Sequence, residues 1–226
     1  SFNRANKRTN TEYRIMIDTK KGNLFIITAA SGAGKTSLVK ALTHEVKNLG
    51  VSVSYTTRQP REGEKNGVDY FFVKPEIFNK MHNEGAFLET AQAHGEYYGT
   101  AKQVVKNALD IGQNLILEID YQGAFHVKKI FKHVVSIFIL PPSMLILEER
   151  LNSRGKDSKE NIQKRLSVAR HEMSHLDKFD YVIINDDFKK AVADLKSILV
   201  MGFIAEDLKT EKQIISYRGL IESFKI

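Results

Sequence analysis

The sequence predicts an α/β fold, a parallel sheet flanked by helices, on three observations. Strand-like apolar runs alternate with helical stretches along most of the chain. A glycine-rich turn joins the first of these strands to the first helix. Two segments of different composition interrupt the alternation, one rich in aromatic residues and one in basic residues. The 226 residues are 42% hydrophobic and 27% charged, a globular composition that excludes wholesale disorder and collagen-like fibres. With no Cys, a disulfide framework and thiolate zinc or iron–sulfur centres are excluded as well.

Taken in order, residues 1–21 hold Arg4, Lys7, Arg8, Arg14, Lys20 and Lys21 against Glu12 and Asp18, a surplus of four within the chain's net +7. This polar stretch lacks the apolar core of a secretory signal and reads as a loosely ordered arm. Leu24 to Thr28 is a continuous apolar run, as in a strand buried on both faces. After the glycine-rich turn a helix is expected from Thr36 to about Leu49, stopped by Gly50. Val51 to Tyr55 alternates as a second strand. Thr56 to Gly99, rich in Tyr, Phe, Gly and charge, reads as a small α+β insertion. Strands are expected again at Leu115–Ile119, Val134–Leu140 and Tyr181–Ile184, each followed by a helical segment. Between the last two, Arg150 to Glu172 is a basic helical stretch with seven Lys/Arg and three Asp/Glu. No apolar run is long enough to span a bilayer.

Two motifs compete for the chemistry. Ala29-Ala30-Ser31-Gly32-Ala33-Gly34-Lys35-Thr36 fits a phosphate-binding P-loop with Ala at the first glycine position. Backbone N–H groups of such a loop, and of the helix start at Lys35, Thr36 and Ser37, point at phosphate oxygens. Lys35 would neutralise the β/γ-phosphates and the Thr36 hydroxyl would ligate Mg²⁺. His171-Glu172-Met173-Ser174-His175 is a literal H-E-x-x-H, the spacing of a zinc hydrolase. Context separates the two. The glycine-rich loop sits between a buried-type strand and a helix start, whereas the His pair has no downstream His for a third ligand. The His motif therefore reads as surface helix. Beyond the loop, Arg58-Gln59-Pro60-Arg61 forms a stiff double prong suited to one phosphate group.

These segments, with Gly67-Val68-Asp69-Tyr70-Phe71-Phe72, Glu89, Tyr97-Tyr98-Gly99-Thr100, Glu118-Ile119-Asp120-Tyr121-Gln122-Gly123 and Arg150-Leu151-Asn152-Ser153-Arg154-Gly155, resemble the guanylate kinase family, especially its bacterial form. The resemblance runs from about Gly22 to Ala205, in the family's order and approximate spacing. It implies a P-loop kinase core at 22–53, 101–149 and 173–205. It also implies a GMP-binding subdomain at 54–100 and a mobile lid at 150–172; outside the match, 206–226 reads as a peripheral C-terminal helix.

Residue roles follow from the resemblance. Arg58, Arg61, Tyr70 and Tyr98 match positions that hold the GMP phosphate, and Ser54, Glu89 and Thr100 match positions that read guanine. A carboxylate accepts from both N1–H and the 2-amino group of guanine, whereas adenine offers neither donor. Asp120 matches the acidic position near GMP and the Mg²⁺ shell, through water; Glu118 beside it could be structural. Arg150, Arg154 and Arg165 match lid arginines that close over the ATP phosphates, and Asn185 lines the adenine pocket. The implied reaction is ATP + GMP = ADP + GDP with Mg²⁺, in the cytoplasm, with dGMP a further acceptor to try and no nucleic-acid or membrane partner.

The family also includes non-catalytic protein-binding modules, but those should lack the P-loop Lys or the lid arginines retained here. A GTPase would need N-K-x-D, and Asn79-Lys80-Met81-His82 fails at its fourth position. The family loop usually begins Gly-Pro where this chain has Ala29-Ala30, an exchange tolerable if φ there is negative.

Overall fold

The computed structural model describes residues 21–93, 95–153 and 158–201. The arm before Lys21 and the helix expected at 206–226 lie outside the described residues. The first apolar run forms strand β1 (Leu24–Ala29), in which Phe25, Ile26 and Ile27 are at most 1% exposed. Numbered along the chain, β2 (Leu49–Val51), β7 (Asn114–Glu118), β8 (Val135–Leu140) and β9 (Tyr181–Ile184) join it in one parallel sheet. The order β2-β7-β1-β8-β9 puts β1 at the centre. Leu24 lies opposite Leu115 and Ile27 opposite Glu118 on one side, and Phe25 opposite Val135 on the other.

The two-residue period of the strands divides the core into two layers. Ile26, Leu117, Phe138 and Leu140 face one layer, covered by α3 (Lys102–Asp110) and α4 (Tyr121–Ile130). Phe25, Ile27, Ile116, Ile137 and Ile139 face the other, covered by α1 (Lys35–Glu45) and α7 (Phe188–Met201). Both faces being buried explains why the strands read as continuous rather than alternating apolar runs.

The expected helix to Leu49 is shorter than its apolar pattern suggested. α1 ends at Glu45, Val46 is already extended, and Asn48 turns the chain at φ 59°. Asn tolerates that left-handed conformation, and the turn delivers Leu49 into the sheet beside β7. The strand expected over 51–55 is likewise divided. Val51 closes β2, while Tyr55–Thr56 (β3) belongs to a second sheet.

That second sheet lies within the aromatic insertion. Its order is β4 (Phe71–Phe72), β3, β6 (Glu96–Ala101), β5 (Phe87–Ala93), with α2 (Pro75–Asn83) packed on it. Its core is small: Phe78, Phe87 and Ala101 are buried, with the Phe78 and Phe87 rings stacked at 4.5 Å. The basic stretch holds parts of two helices, the first of which begins before Arg150. α5 (Met144–Asn152) starts at a Ser143 cap that accepts from the Ile146 N–H, and α6 (Lys159–Met173) at a Ser158 cap that accepts from Asn161. No helix among the described residues is long and apolar enough to cross a membrane.

Candidate active site

An open parallel sheet leaves a crevice beyond the carboxyl ends of its strands, where the strand order reverses. Here that point is the end of β1, and the 29–36 loop occupies it. Gly32 and Gly34 adopt φ of +96° and +93°, conformations an L side chain rarely takes. Space is equally tight, since a Cβ at Gly34 would lie 2.3 Å from Asn185 Nδ2 and one at Gly32 would lie 2.9 Å from the Leu147 side chain. Ala29 and Ala30 need no such freedom, because Asn48 alone among described non-glycine residues has positive φ. Ala30 is buried and its carbonyl accepts from the Ala33 N–H at 3.0 Å. Asn185, at the end of β9, is 6% exposed and donates from Nδ2 to the Ala33 carbonyl at 2.8 Å. It clasps the loop directly.

The loop runs into the first turn of α1, which carries no acidic residue and no side-chain cap. The unclaimed N–H groups there form an electropositive end. Thr36 and Ser37 are exposed on this turn. Lys35 is half-buried, with Nζ 3.8 Å from Glu118 Oε2 at the end of β7. Burial lowers the Lys35 pKa, and the carboxylates of Glu118, Glu172 and Asp120 pull it back up. Asp120 caps α4, its Oδ1 accepting from the Gly123 N–H at 2.8 Å.

Of the three arginines expected to close over the ATP phosphates, Arg150 and Arg165 reach this crevice. Arg165 Nη2 donates to Ser31 Oγ at 2.7 Å, and Arg150 Nη2 donates to the Asn185 carbonyl at 3.0 Å. Arg150 Nη1 is buried without a hydrogen-bond partner. Arg154 lies outside the described residues.

The H-E-x-x-H stretch differs from the surface helix expected of it. His171 and His175 pack on Tyr121: Tyr121 Oη is 3.1 Å from His171 Nε2, and the His175 ring stacks on Tyr121 at 4.3 Å. Glu172 between them turns inward, its Oε2 buried and without a hydrogen-bond partner. Burial raises its pKa to about 7, against the pull of the Ser31 N–H and Lys35 and with a push from Asp120. Among the described residues no group of three His, Cys, Asp or Glu is placed to hold a metal ion.

The insertion assembles a second polar cluster. Arg58 forks onto Glu64, donating to Oε2 at 3.0 Å and Oε1 at 2.9 Å, and Glu64 also accepts from the Arg61 N–H at 2.7 Å. The Arg58 bonds hold the Glu64 pKa down at about 2. The Arg58 guanidinium lies 5.3 Å from the Tyr70 ring centre, and Tyr70 meets Tyr98 edge-on at 5.9 Å. The Arg61 side chain is exposed beside them. Deeper in, Glu89 is 8% exposed and accepts from the Thr100 hydroxyl at 2.6 Å. Burial raises the Glu89 pKa while the Thr100 bond opposes the rise. Ser54 is half-buried, and its carbonyl accepts from the Phe71 N–H at 2.9 Å.

Sequence reasoning missed three participants. Glu64 lay in plain view three residues after Arg61, but only the folded turn shows that it holds Arg58. Glu172 was masked by the His pair around it. Gly123 stood in the Glu118–Gly123 segment without a role, yet a Cβ there would lie 2.9 Å from Glu89 Oε2.

Comparison with known proteins identifies the family. A family model described as guanylate kinase matches residues 21–201. The chain is 53% identical over 202 residues to a guanylate kinase of Methylobacillus flagellatus, spanning 89% of this chain and 98% of that one. It is 47% identical over 203 residues to one of Nitrosospira multiformis, spanning 90% and 95%. The crystal structure of guanylate kinase from Anaplasma phagocytophilum superposes with a TM-score of 0.66 at 35% identity, covering 92% of this chain and 97% of that one. With a family model matching 21–201 and relatives about half identical over most of their length, the chain belongs to the guanylate kinase family.

Proposed function

We propose that the protein transfers the terminal phosphoryl group of ATP to GMP, giving ADP and GDP. The observation that carries this reading is a phosphate cradle paired with a separate buried carboxylate, Glu89, held by Thr100. The cradle, Ala30 to Ser37, offers N–H groups and Lys35 to the β/γ-phosphates of ATP. Arg58, Arg61, Tyr70 and Tyr98 take the phosphate of GMP, and Glu89, Thr100 and Ser54 take its base. An oxygen of the GMP phosphate attacks the γ-phosphorus as the bond to the bridging oxygen of ADP breaks. That acceptor oxygen is already ionised at neutral pH, so no general base is assigned. Charge on the equatorial oxygens is stabilised by Lys35, Arg150, Arg154 and Arg165. Arginines from the lid also exclude water and limit hydrolysis of ATP. Asn185 holds the loop from the donor side.

Mg²⁺ keeps several waters and leans on phosphates rather than on protein cages. One exposed hydroxyl at Thr36, with Asp120 acting through water, fits that donor set. Thr36, and Asp120 through water, would hold the ion, which would supply charge neutralisation on the ATP phosphates. The reaction draws on cytoplasmic nucleotides, and the reading places the enzyme there, with no part for nucleic acid.

A coupled ADP-release assay with GMP, dGMP, AMP and UMP tests the proposal. Turnover with GMP, weaker turnover with dGMP and background with AMP and UMP are expected. Absence of GMP-dependent turnover overturns the reading, and preference for AMP overturns the role of Glu89.

A further inference from the structure

The turn after β3 folds around one carboxylate. Arg61 to Glu64 closes a four-residue turn, the Glu64 N–H donating to the Arg61 carbonyl at 3.0 Å, with Gly63 at φ +86° in its third position. The Glu64 side chain folds back and accepts from the Arg61 N–H at 2.7 Å, so side chain and backbone tie the same turn. The same carboxylate takes Arg58: Oε2 accepts from Nη1 at 3.0 Å and Oε1 from Nη2 at 2.9 Å. The two side chains are 15% and 20% exposed, which sets this pair apart from a solvated surface ion pair. Tyr70 and Phe72 flank the guanidinium, with ring centres 5.3 and 5.7 Å from its carbon.

The donors of Arg58 divide between two edges. A guanidinium carries five N–H donors in a rigid plane. Glu64 takes one from Nη1 and one from Nη2, and the Gln59 carbonyl takes the other from Nη1 at 2.8 Å. The remaining two, on Nε and Nη2, lie side by side along the second edge, a fork that matches two oxygens of a phosphate. A carboxylate beside a phosphate site repels an incoming dianion, so Glu64 stands there at an electrostatic cost that orientation has to offset.

We propose that Glu64 is a positioning residue for the acceptor nucleotide: it grips one edge of Arg58 and the Arg61 N–H, and so presents the other edge of Arg58 to the phosphate of GMP. The proposal rests on the reading of the protein as an ATP:GMP phosphotransferase. Without that grip the long Arg58 side chain samples many rotamers, and its fork meets the phosphate out of line.

Calorimetric titration of the full chain with GMP reads this orientation without ATP. In Glu64→Gln, which keeps the shape and loses the charge, Kd for GMP is expected to rise about tenfold to hundredfold. In turnover assays KM for GMP should rise by a similar factor, with KM for ATP and kcat at saturating GMP within about threefold of wild type. Glu64→Asp keeps the carboxylate one methylene further back and should restore part of the affinity. A double variant separates orientation from general support of the turn. Arg58→Lys replaces the fork by a point charge with no second edge, so adding Glu64→Gln to it should raise Kd by less than about twofold more.

Unchanged GMP binding in Glu64→Gln overturns the proposal, and tighter binding overturns it by showing that the carboxylate serves to repel the phosphate. Full additivity with Arg58→Lys overturns it as well, because the loss would then come from the turn. If Glu64→Gln does not fold, Glu64→Asp decides in its place: weaker GMP binding with KM for ATP unchanged supports the proposal, and unchanged GMP binding overturns it. Wild-type protein that neither binds GMP nor turns it over would instead sink the enzyme reading, a failure seen before any variant is made.

Discussion

The phosphate loop is anchored in the main sheet, whereas the arginine- and tyrosine-rich insertion stands on a sheet of its own. Ala30, Ala33 and Leu38 around the loop are buried in the main core, and Asn185 clasps the loop from a neighbouring strand. The insertion rests on Phe78, Phe87 and Ala101, with stacked rings doing most of the filling. On the proposed function the first region works through backbone N–H groups, whose directions are fixed only if the chain is fixed. The second, on the same reading, would work through long side chains such as Arg58 and Arg61, which tolerate a looser base. Each region has the rigidity its donors require, and a small core also lets the insertion open at lower cost than the rest.

The comparison can be broken most directly at Lys35. Lys35→Met should lower turnover by about 10³-fold or more while the thermal midpoint holds, measured by ADP release and calorimetry. A loss of fold in that variant would mean the lysine serves the core rather than the phosphates. Next, Phe78→Ala removes a buried ring at a cost of about 3–5 kcal/mol. Hydrogen exchange should accelerate through residues 55–101 and leave β1 and β8 protected; uniform acceleration would merge the two regions. Glu89→Gln should lower kcat/KM for GMP by about 10²-fold with little change in KM for ATP, placing base recognition in the insertion alone.

Protonation separates the regions more gently, with opposite signs. The folded-state pKa of Glu172 is raised from 4.5 to about 7. Its stabilising share is therefore complete below about pH 4.5 and lost as pH rises through 7. Glu64 is lowered from 4.5 to about 2, so its share is present above 4.5 and lost as pH falls through 2. The thermal midpoint of wild type relative to Glu172→Gln should decline from pH 5 to pH 8, whereas the Glu64 carboxyl resonance should titrate near pH 2. A flat midpoint difference would remove Glu172 from the buried site.

Much of this was legible because its cause is local. Continuous apolar runs gave β1, β7, β8 and β9, since burial on both faces leaves no room for alternation. The glycine-rich loop announced itself through Gly32 and Gly34, which the backbone requires at positive φ. The segment from Val46 to Thr56 was not legible. Its path turns on Asn48 and on Leu49 pairing with a strand some 65 residues later, and neither register is written locally. Glu172 was hidden for a related reason. Which way a helical carboxylate points depends on the rotation of α6, and that is set by Leu166, Ala169 and Met173 against distant parts of the core.

Gly123 joins two carboxylates to which the proposed function gives different partners. Its N–H binds Asp120 Oδ1 at 2.8 Å, and its missing side chain leaves room for Glu89 Oε2, which a Cβ would approach to 2.9 Å. The spacing between the carboxylate assigned to the base and the one assigned to the metal is thus fixed by a residue with no chemistry of its own. Any larger residue there would disturb acceptor choice and metal placement together. On the proposed function, drift in substrate preference is expected to begin in the insertion rather than at this position on α4, where the two functions cannot be altered one at a time.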